Sequence, residues 1–168
     1  GKTDRYSYDQ AGRLVSKTDA KGQTTTFFYD PGGRLVKKQL ADGKVINYKY
    51  DDSGNLTEVD DGNFPVRFRY DPGGRLTRIA YPVLKRRLNY EYDADGMLIK
   101  FVDSEGQTFS YEYDPFKRLK NIHLPQGKPI GFRYDVKDRL TAITYPNGVQ
   151  GKWKYDASDQ PVQIKYTD

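Results

Sequence analysis

His123 is the only histidine in the chain and its one ready general base. It stands before Leu124-Pro125-Gln126-Gly127, has no repeated partner, and no serine lies in a motif that would activate it as a nucleophile. His123 therefore reads as a strand-end residue, not a catalyst. There is no cysteine, so thiolate chemistry, thiolate metal sites and disulfides are excluded. Two acidic turns, Asp51-Asp52-Ser53-Gly54-Asn55 and Asp93-Ala94-Asp95-Gly96, carry the oxygen ligands that calcium takes. They lack the spaced carboxylates and closing glutamate of an EF-hand and the glycine-rich nonapeptide of calcium-binding β-rolls. Their aspartates read as turn caps. No catalytic residue, cofactor site or metal site is expected. One chemical feature does recur: a row of aromatics, Tyr6, Phe27, Tyr48, Phe68, Tyr90, Tyr111, Phe132 and Trp153. Such a row can stack sugar rings or unpaired bases, or pack a sheet against its own side chains, and packing is the expected role.

The elements that would position these residues are set by a repeat. Tyr-Asp pairs begin at Tyr8, Tyr29, Tyr50, Tyr70, Tyr92, Tyr113, Tyr134 and Tyr155, at intervals of 21, 21, 20, 22, 21, 21 and 21 residues. Eight copies of a 21-residue unit fill the chain. The aromatic row lies two residues before each tyrosine, and four residues before it come Ile46, Val66, Leu88, Phe109 and Ile130, with mostly polar residues between. Period-two alternation of this kind predicts a half-buried strand.

The pair then opens a turn, written most fully as Tyr29-Asp30-Pro31-Gly32-Gly33-Arg34-Leu35 and again from Tyr70 to Leu76. The aspartate (Asp9, Asp30, Asp51, Asp71, Asp93, Asp114, Asp135, Asp156) can accept backbone N–H groups of its own turn, and proline presets φ for the second position. Gly12, Gly33, Gly54, Gly74 and Gly96 sit where a three-residue hairpin loop needs a left-handed residue. The last three copies carry Lys117, Asp138 and Asp159 there, which predicts three less ideal turns. Arg13, Arg34, Arg75, Arg118 and Arg139 follow, each placed to pair with its aspartate across the turn. Leu14, Leu35, Leu56, Leu76, Leu98, Leu119 and Leu140 then face the tyrosines on one side of the sheet, and Pro161 takes this place in the last copy. Three residues further stand Val59, Ile79, Phe101, Ile122, Ile143 and Ile164, but Lys17 and Lys38 in the first two copies. Strict alternation would put these on the other face; either both faces are partly covered or a further bulge reverses the sense. A second turn follows at Lys21-Gly22, Asp42-Gly43, Asp61-Gly62, Glu105-Gly106, Gln126-Gly127 and Asn147-Gly148. Between Asp61-Gly62 and Glu105-Gly106, the connection Tyr81-Pro82-Val83-Leu84-Lys85-Arg86 has no glycine and should differ. No window shows a helical period.

Hydrophobic residues are only 36 % of the chain and the mean hydropathy is −0.90, values that lean toward disorder in a chain without periodicity. Fifteen tyrosines, eight phenylalanines and a tryptophan argue for a folded one. The 28 basic and 23 acidic residues are interleaved, as in Lys85-Arg86-Arg87 followed by Glu91 and Asp93, which reads as a solvated mixed-charge surface and not a nucleic-acid site. No apolar run has the length of a membrane span or a signal core, and Gly1-Lys2-Thr3-Asp4 is not a targeting segment.

The pattern Tyr-Asp-x-x-Gly-Arg-Leu, followed after a strand by Gly and then aromatic-x-Tyr-Asp, resembles the RHS, or YD, repeat. Bacterial Rhs polymorphic toxins, C subunits of insecticidal toxin complexes, wall-associated repeat proteins and teneurins carry it. The resemblance covers the whole chain; its departures are Asn55, Met97 and Gln160 in place of the arginine, the three lost turn glycines, and Pro161. It implies an all-β strip of consecutive antiparallel hairpins, about sixteen short strands, that curves or spirals as part of a hollow shell. In bacterial members the shell encloses a C-terminal toxic enzyme. Neither a toxin domain nor the segment that self-cleaves it is visible between residues 1 and 168.

The expectation is thus a single repeat array over residues 1–168, a fragment of a longer shell, with no enzyme activity of its own. Its parent would be secreted or on a cell surface, and bacterial. Its partners would be neighbouring repeats of the parent chain or further copies of itself, and an enclosed toxin domain. Two alternatives accompany it: closure into a β-barrel or a self-associated panel, because terminal strands expose unpaired backbone, and a module binding glycans or a partner protein through exposed aromatics.

Overall fold

The computed structural model describes residues 3–167; Gly1 and Lys2, which open the leading segment, lie outside the described residues. The sixteen strands begin with β1 Arg5–Tyr8, β2 Leu14–Thr18, β3 Thr24–Tyr29, β4 Leu35–Gln39, β5 Val45–Tyr50, β6 Leu56–Asp60, β7 Val66–Tyr70 and β8 Leu76–Tyr81. They continue with β9 Arg86–Tyr92, β10 Leu98–Val102, β11 Thr108–Tyr113, β12 Leu119–His123, β13 Ile130–Tyr134, β14 Leu140–Thr144, β15 Gln150–Tyr155 and β16 Pro161–Thr167. Every odd strand ends on the repeat tyrosine, and every even strand up to β14 starts on the repeat leucine. The strand order is the order of the chain. β1 and β16 stand at its two ends, so among the described residues the strands do not close into the barrel that stood as the alternative.

The chain divides into two compact units, Gly1–Arg87 and Leu88–Asp168. In the first, β1 to β8 pair consecutively and antiparallel. In the second, β9 to β16 do the same.

The face reversal left open by the alternation has one answer in both units. Tyr50 pairs with Leu56 and Lys49 with Glu58, so Thr57 is an extra residue in β6. The same bulge recurs in the other hairpins that follow a Tyr-Asp turn. One added residue shifts the period by one, and Leu56 and Val59 thereby join Tyr50 and Tyr48 on one face. That face carries the cross-strand rows Tyr48–Val59–Val66 and, in the second unit, Tyr111–Ile122–Ile130. Tyr90, Phe101 and Phe109 stack in sequence with centroids 5.9 and 4.9 Å apart, separations that favour aromatic pairs.

These rows are half-buried. Among the described residues no hydrophobic side chain is fully withdrawn from solvent, as expected where a single sheet layer has nothing packed on its apolar face.

Gly151 is the one residue among those described that is buried. It lies between Ile143 of β14 and Tyr166 of β16, in a row that elsewhere holds Val66, Phe109 and Ile130. A Cβ there would come within 2.8 Å of Trp153 Cη2 and 3.1 Å of Tyr166 Cε1. Glycine thus clears the place into which the indole folds. Gly151→Ala is expected to destabilise the second unit by about 1–2 kcal/mol through overpacking, read as a lower urea midpoint followed by Trp153 fluorescence. An unchanged midpoint would show that the indole does not occupy this place.

Candidate functional site

Among the described residues the Tyr-Asp turn recurs in every repeat, and its side chains act in a fixed division of labour. The aspartate opens the turn. Its carbonyl accepts the N–H of the left-handed residue, at 2.9 Å from Gly33 to Asp30, while its own N–H donates to the Arg34 carbonyl at 2.9 Å. The glycines at that position have φ from 77° to 87°, a region that penalises any Cβ. One carboxylate oxygen caps the loop from inside: Asp71 Oδ1 accepts the N–H groups of Gly73 and Arg75, both at 2.9 Å. The other accepts the arginine Nε, at 2.7 Å in Arg13–Asp9, Arg34–Asp30, Arg75–Asp71 and Arg118–Asp114 and at 2.8 Å in Arg139–Asp135. Asn55 keeps this link with its side-chain amide, 3.0 Å from Asp51 Oδ2.

These contacts hold the carboxyls below their ordinary pKa. For Asp9, Asp30 and Asp71 the main cause is the backbone N–H four residues on; for Asp51 it is the Asn55 amide, and for Asp135 the Arg139 guanidinium.

What the sequence pattern does not reveal is that most of the motif reaches into the adjacent repeat. The tyrosine hydroxyl donates to the carbonyl of the preceding repeat's leucine: Tyr29 to Leu14, Tyr50 to Leu35, Tyr70 to Leu56, Tyr113 to Leu98, Tyr134 to Leu119 and Tyr155 to Leu140, all between 2.8 and 3.0 Å. Burial raises the pKa of Tyr70, Tyr113 and Tyr134. The arginine reaches the other way. Its guanidinium lies 4.7 to 5.0 Å from the ring centroid of the next tyrosine, in Arg13–Tyr29, Arg34–Tyr50, Arg118–Tyr134 and Arg139–Tyr155. Its Nη1 also donates to the carbonyl of the next turn's aspartate, Arg34 to Asp51 at 3.3 Å and Arg118 to Asp135 at 3.2 Å. The signal in the sequence was the fixed pairing of an arginine with a tyrosine one repeat later, which a reading of each turn by itself does not connect.

The three turns without glycine keep the geometry of the others. Lys117, Asp138 and Asp159 have φ of 63°, 61° and 63°, and their N–H groups still close the turn at 2.9, 3.1 and 3.2 Å. Their departure from ideality is confined to a backbone region that favours glycine. Their charged side chains meet adjacent turns instead: Lys117 with Asp95 at 3.3 Å, Asp138 with Arg118 at 2.6 Å, and Asp159 with Lys137 at 3.0 Å and with Arg139. The glycine-free connection between β8 and β9 differs as expected, closing with the Lys85 N–H on the Pro82 carbonyl at 3.1 Å and with Lys85 at φ 51°.

His123 ends β12, about half exposed, with Nε2 3.6 Å from Glu112 Oε2. Glu112 also receives Lys120 and Asn121, both at 2.6 Å, and these hold its carboxyl down to about 2. Among the described residues no group of three His, Cys, Asp or Glu side chains is placed to hold a metal, and no helix is long and apolar enough to cross a membrane.

Fold and turn together define a protein of consecutive hairpin repeats, each fastened to the next through its Tyr-Asp turn. Residues 1–24, 8–45 and 29–63 match the RHS repeat model, and residues 61–167 match the teneurin YD-shell model. The chain belongs to the RHS, or YD-repeat, family. None of the curated proteins matches it in sequence. Among solved structures it is similar to a chain of the TcdB2–TccC3 crystal structure, with 15 % identity and a TM-score of 0.80 over 98 % of this chain. The Tc holotoxin pore of Photorhabdus luminescens gives 15 % identity and a TM-score of 0.79 over 97 %. This chain spans 10 % of either solved chain.

Two outcomes follow from the turn chemistry. Tyr50→Phe removes the donor to the Leu35 carbonyl and is expected to cost about 1 kcal/mol. Tyr8→Phe, at a tyrosine that is 60 % exposed with no leucine among residues 1–7, should leave the urea midpoint of this 168-residue chain unchanged; equal effects at both positions would remove the clasp as a stabilising contact. Asp9, Asp30, Asp51, Asp71, Asp135 and Glu112 have folded-state pKa values below their ordinary ones. Their contribution is therefore complete above the ordinary carboxylate range and lost as pH falls through the depressed values. For Glu112 that window runs from 4.5 down to about 2. The urea midpoint should hold from neutral pH to the top of this window and fall within it, and a midpoint that rises on acidification would contradict the assignment.

Proposed function

We propose that the chain is a non-catalytic structural stretch of a secreted or cell-surface RHS/YD-repeat protein of a bacterium, whose complete array encloses or displays a toxin or effector domain. In this reading residues 1–168 are one continuous array within a longer one. The observation that carries it is the direction in which the motif side chains point their chemistry. Six tyrosine hydroxyls and four arginine guanidinia engage the neighbouring repeat, and Tyr, Asp, Arg and Leu serve as wall fasteners. The likeness to TcdB2–TccC3, solved also without a hypervariable C-terminal region, and to the Tc holotoxin pore supports a place in a toxin machine.

Limited proteolysis of the whole parent protein tests this. A domain encoded beside the array should resist protease while the array is folded and become cleavable in denaturant that opens it. Digestion of that domain at the same rate with the array intact as when it is expressed alone would rule out enclosure.

A further inference from the structure

Along the chain the charges of the second unit nearly cancel, with eleven Lys and Arg against twelve Asp and Glu in residues 88–168. Across the sheet they do not. Strands β13 to β16 contain no acidic residue and four cations, Arg133, Lys152, Lys154 and Lys165. Pairing sets Arg133, Ala142, Lys152 and Lys165 in one row across the four strands. Lys154 stands two places after Lys152 on β15 and so shares its face. All four cations are exposed, and Phe132, Tyr134, Trp153, Tyr155 and Tyr166 alternate with them onto the other face. Lys152 and Lys165 are direct cross-strand partners, a placement of like charges that destabilises a sheet.

The carboxylates of the neighbouring turns are engaged elsewhere. Asp135 holds Arg139 at 2.7 Å, Asp138 holds Arg118 at 2.6 Å, and Asp159 holds Lys137 at 3.0 Å together with Arg139. Earlier in the unit the strand cations find acids beside them, Lys100 with Glu91 at 2.9 Å and Lys120 with Glu112 at 2.6 Å. Among the described residues Arg133, Lys152, Lys154 and Lys165 make no such pair. The adjacent row on the same face is uncharged: Asn121, Gly131, Thr144, Gln150 and Thr167. Over Gly131, which has no side chain, a cleft of about 370 Å³ opens between Asn121 and Thr144, with Lys128 and Arg133 also lining it.

We infer that this face of β13 to β16 binds a sulfated polysaccharide. Sulfate esters along such a chain meet the cationic row, where three of the four cations are lysines, point charges on flexible stems that suit anions distributed along a ligand. The sugar hydroxyls meet the adjacent row, whose amides and hydroxyls both donate and accept. A single-stranded nucleic acid would be held by stacking on aromatic rings, and the rings of these strands lie on the other face. A duplex is read by an element that enters a groove, which a row spread over four strands does not do. An anionic bilayer would meet the cations and leave the uncharged row without partners. The face is solvent-exposed, so salt screens it and binding is modest.

The test is fluorescence anisotropy of labelled heparin titrated with the full chain, beside labelled desulfated heparin, a labelled oligothymidylate and phosphatidylserine vesicles, all at one salt concentration. Heparin should bind saturably and desulfated heparin should not. Arg133→Gln, Lys152→Gln and Lys165→Gln should each weaken heparin binding about two- to fivefold, the worth of an exposed charge pair. Lys21→Gln makes the same change in net charge at an exposed turn of the first unit and should leave binding unaltered. Lys152→Gln and Lys165→Gln relieve the like-charge pair, so their urea midpoints should equal or exceed that of the parent chain, and lost binding then reports a lost contact. Equal weakening by Lys21→Gln, or equal binding of desulfated heparin, overturns the inference. Tighter binding of the oligothymidylate or the vesicles than of heparin, with the same dependence on the three cations, also overturns it and gives the face to a nucleic acid or a membrane.

Discussion

The bond from each tyrosine hydroxyl to the leucine carbonyl of the preceding repeat is the contact on which the rest depends. A sheet layer with no fully buried hydrophobic side chain among its described residues lacks the burial that normally offsets chain entropy. Stability must then come from terms between neighbours: ladder hydrogen bonds, cross-strand pairs and the links between turns. The clasp is the term that joins one hairpin to the next at the edge of the sheet, as from Tyr50 to Leu35 and from Tyr134 to Leu119. It acts through a backbone carbonyl, so it tolerates any residue in the leucine position that keeps the chain's course. Energies that add repeat by repeat in this way make a nearly one-dimensional array.

The clasp also explains why arginine follows the turn glycine. A guanidinium can bind its own aspartate through Nε, reach the next turn's carbonyl through Nη1 and still lay its plane near the next tyrosine ring, as Arg34 does with Asp30, Asp51 and Tyr50. Lysine, a point charge on a flexible stem, could satisfy one of the three. Asn55 shows the division directly: its amide retains the bond to Asp51 within the turn but is too short to give the cation that the next ring, Tyr70, would otherwise meet.

Strands, turns and repeat length were legible because each rests on local chemistry: period-two alternation, an aspartate that caps, and a glycine at positive φ. The pairing of Tyr29 with Leu35 and of Asp30 with Arg34 followed from loop length alone. The bulge at residues such as Thr57 was half-legible. The apolar residue three places after Leu56 signalled a change of sense, but alternation could not tell a bulge from a sheet covered on both faces. The clasp itself was hidden, because it links a side chain to a backbone carbonyl fifteen residues away in most repeats, and a carbonyl leaves no mark on the sequence.

The replacement of glycine at the last three turns shows how far edge chemistry can stand in for backbone freedom. Lys117, Asp138 and Asp159 take a left-handed conformation that carries a steric penalty for any residue with a Cβ. Each gains a charged partner on an adjacent turn, Asp95, Arg118, and Lys137 with Arg139 respectively. Exposed pairs are individually weak, but these extend links that the arginines already make between turns, so a charge placed there meets a partner held in position. Glycine in the earlier repeats favours the turn by itself; charge in the later ones favours the turn only in the company of its neighbours. Cohesion in the second unit thereby shifts from the single hairpin toward the array.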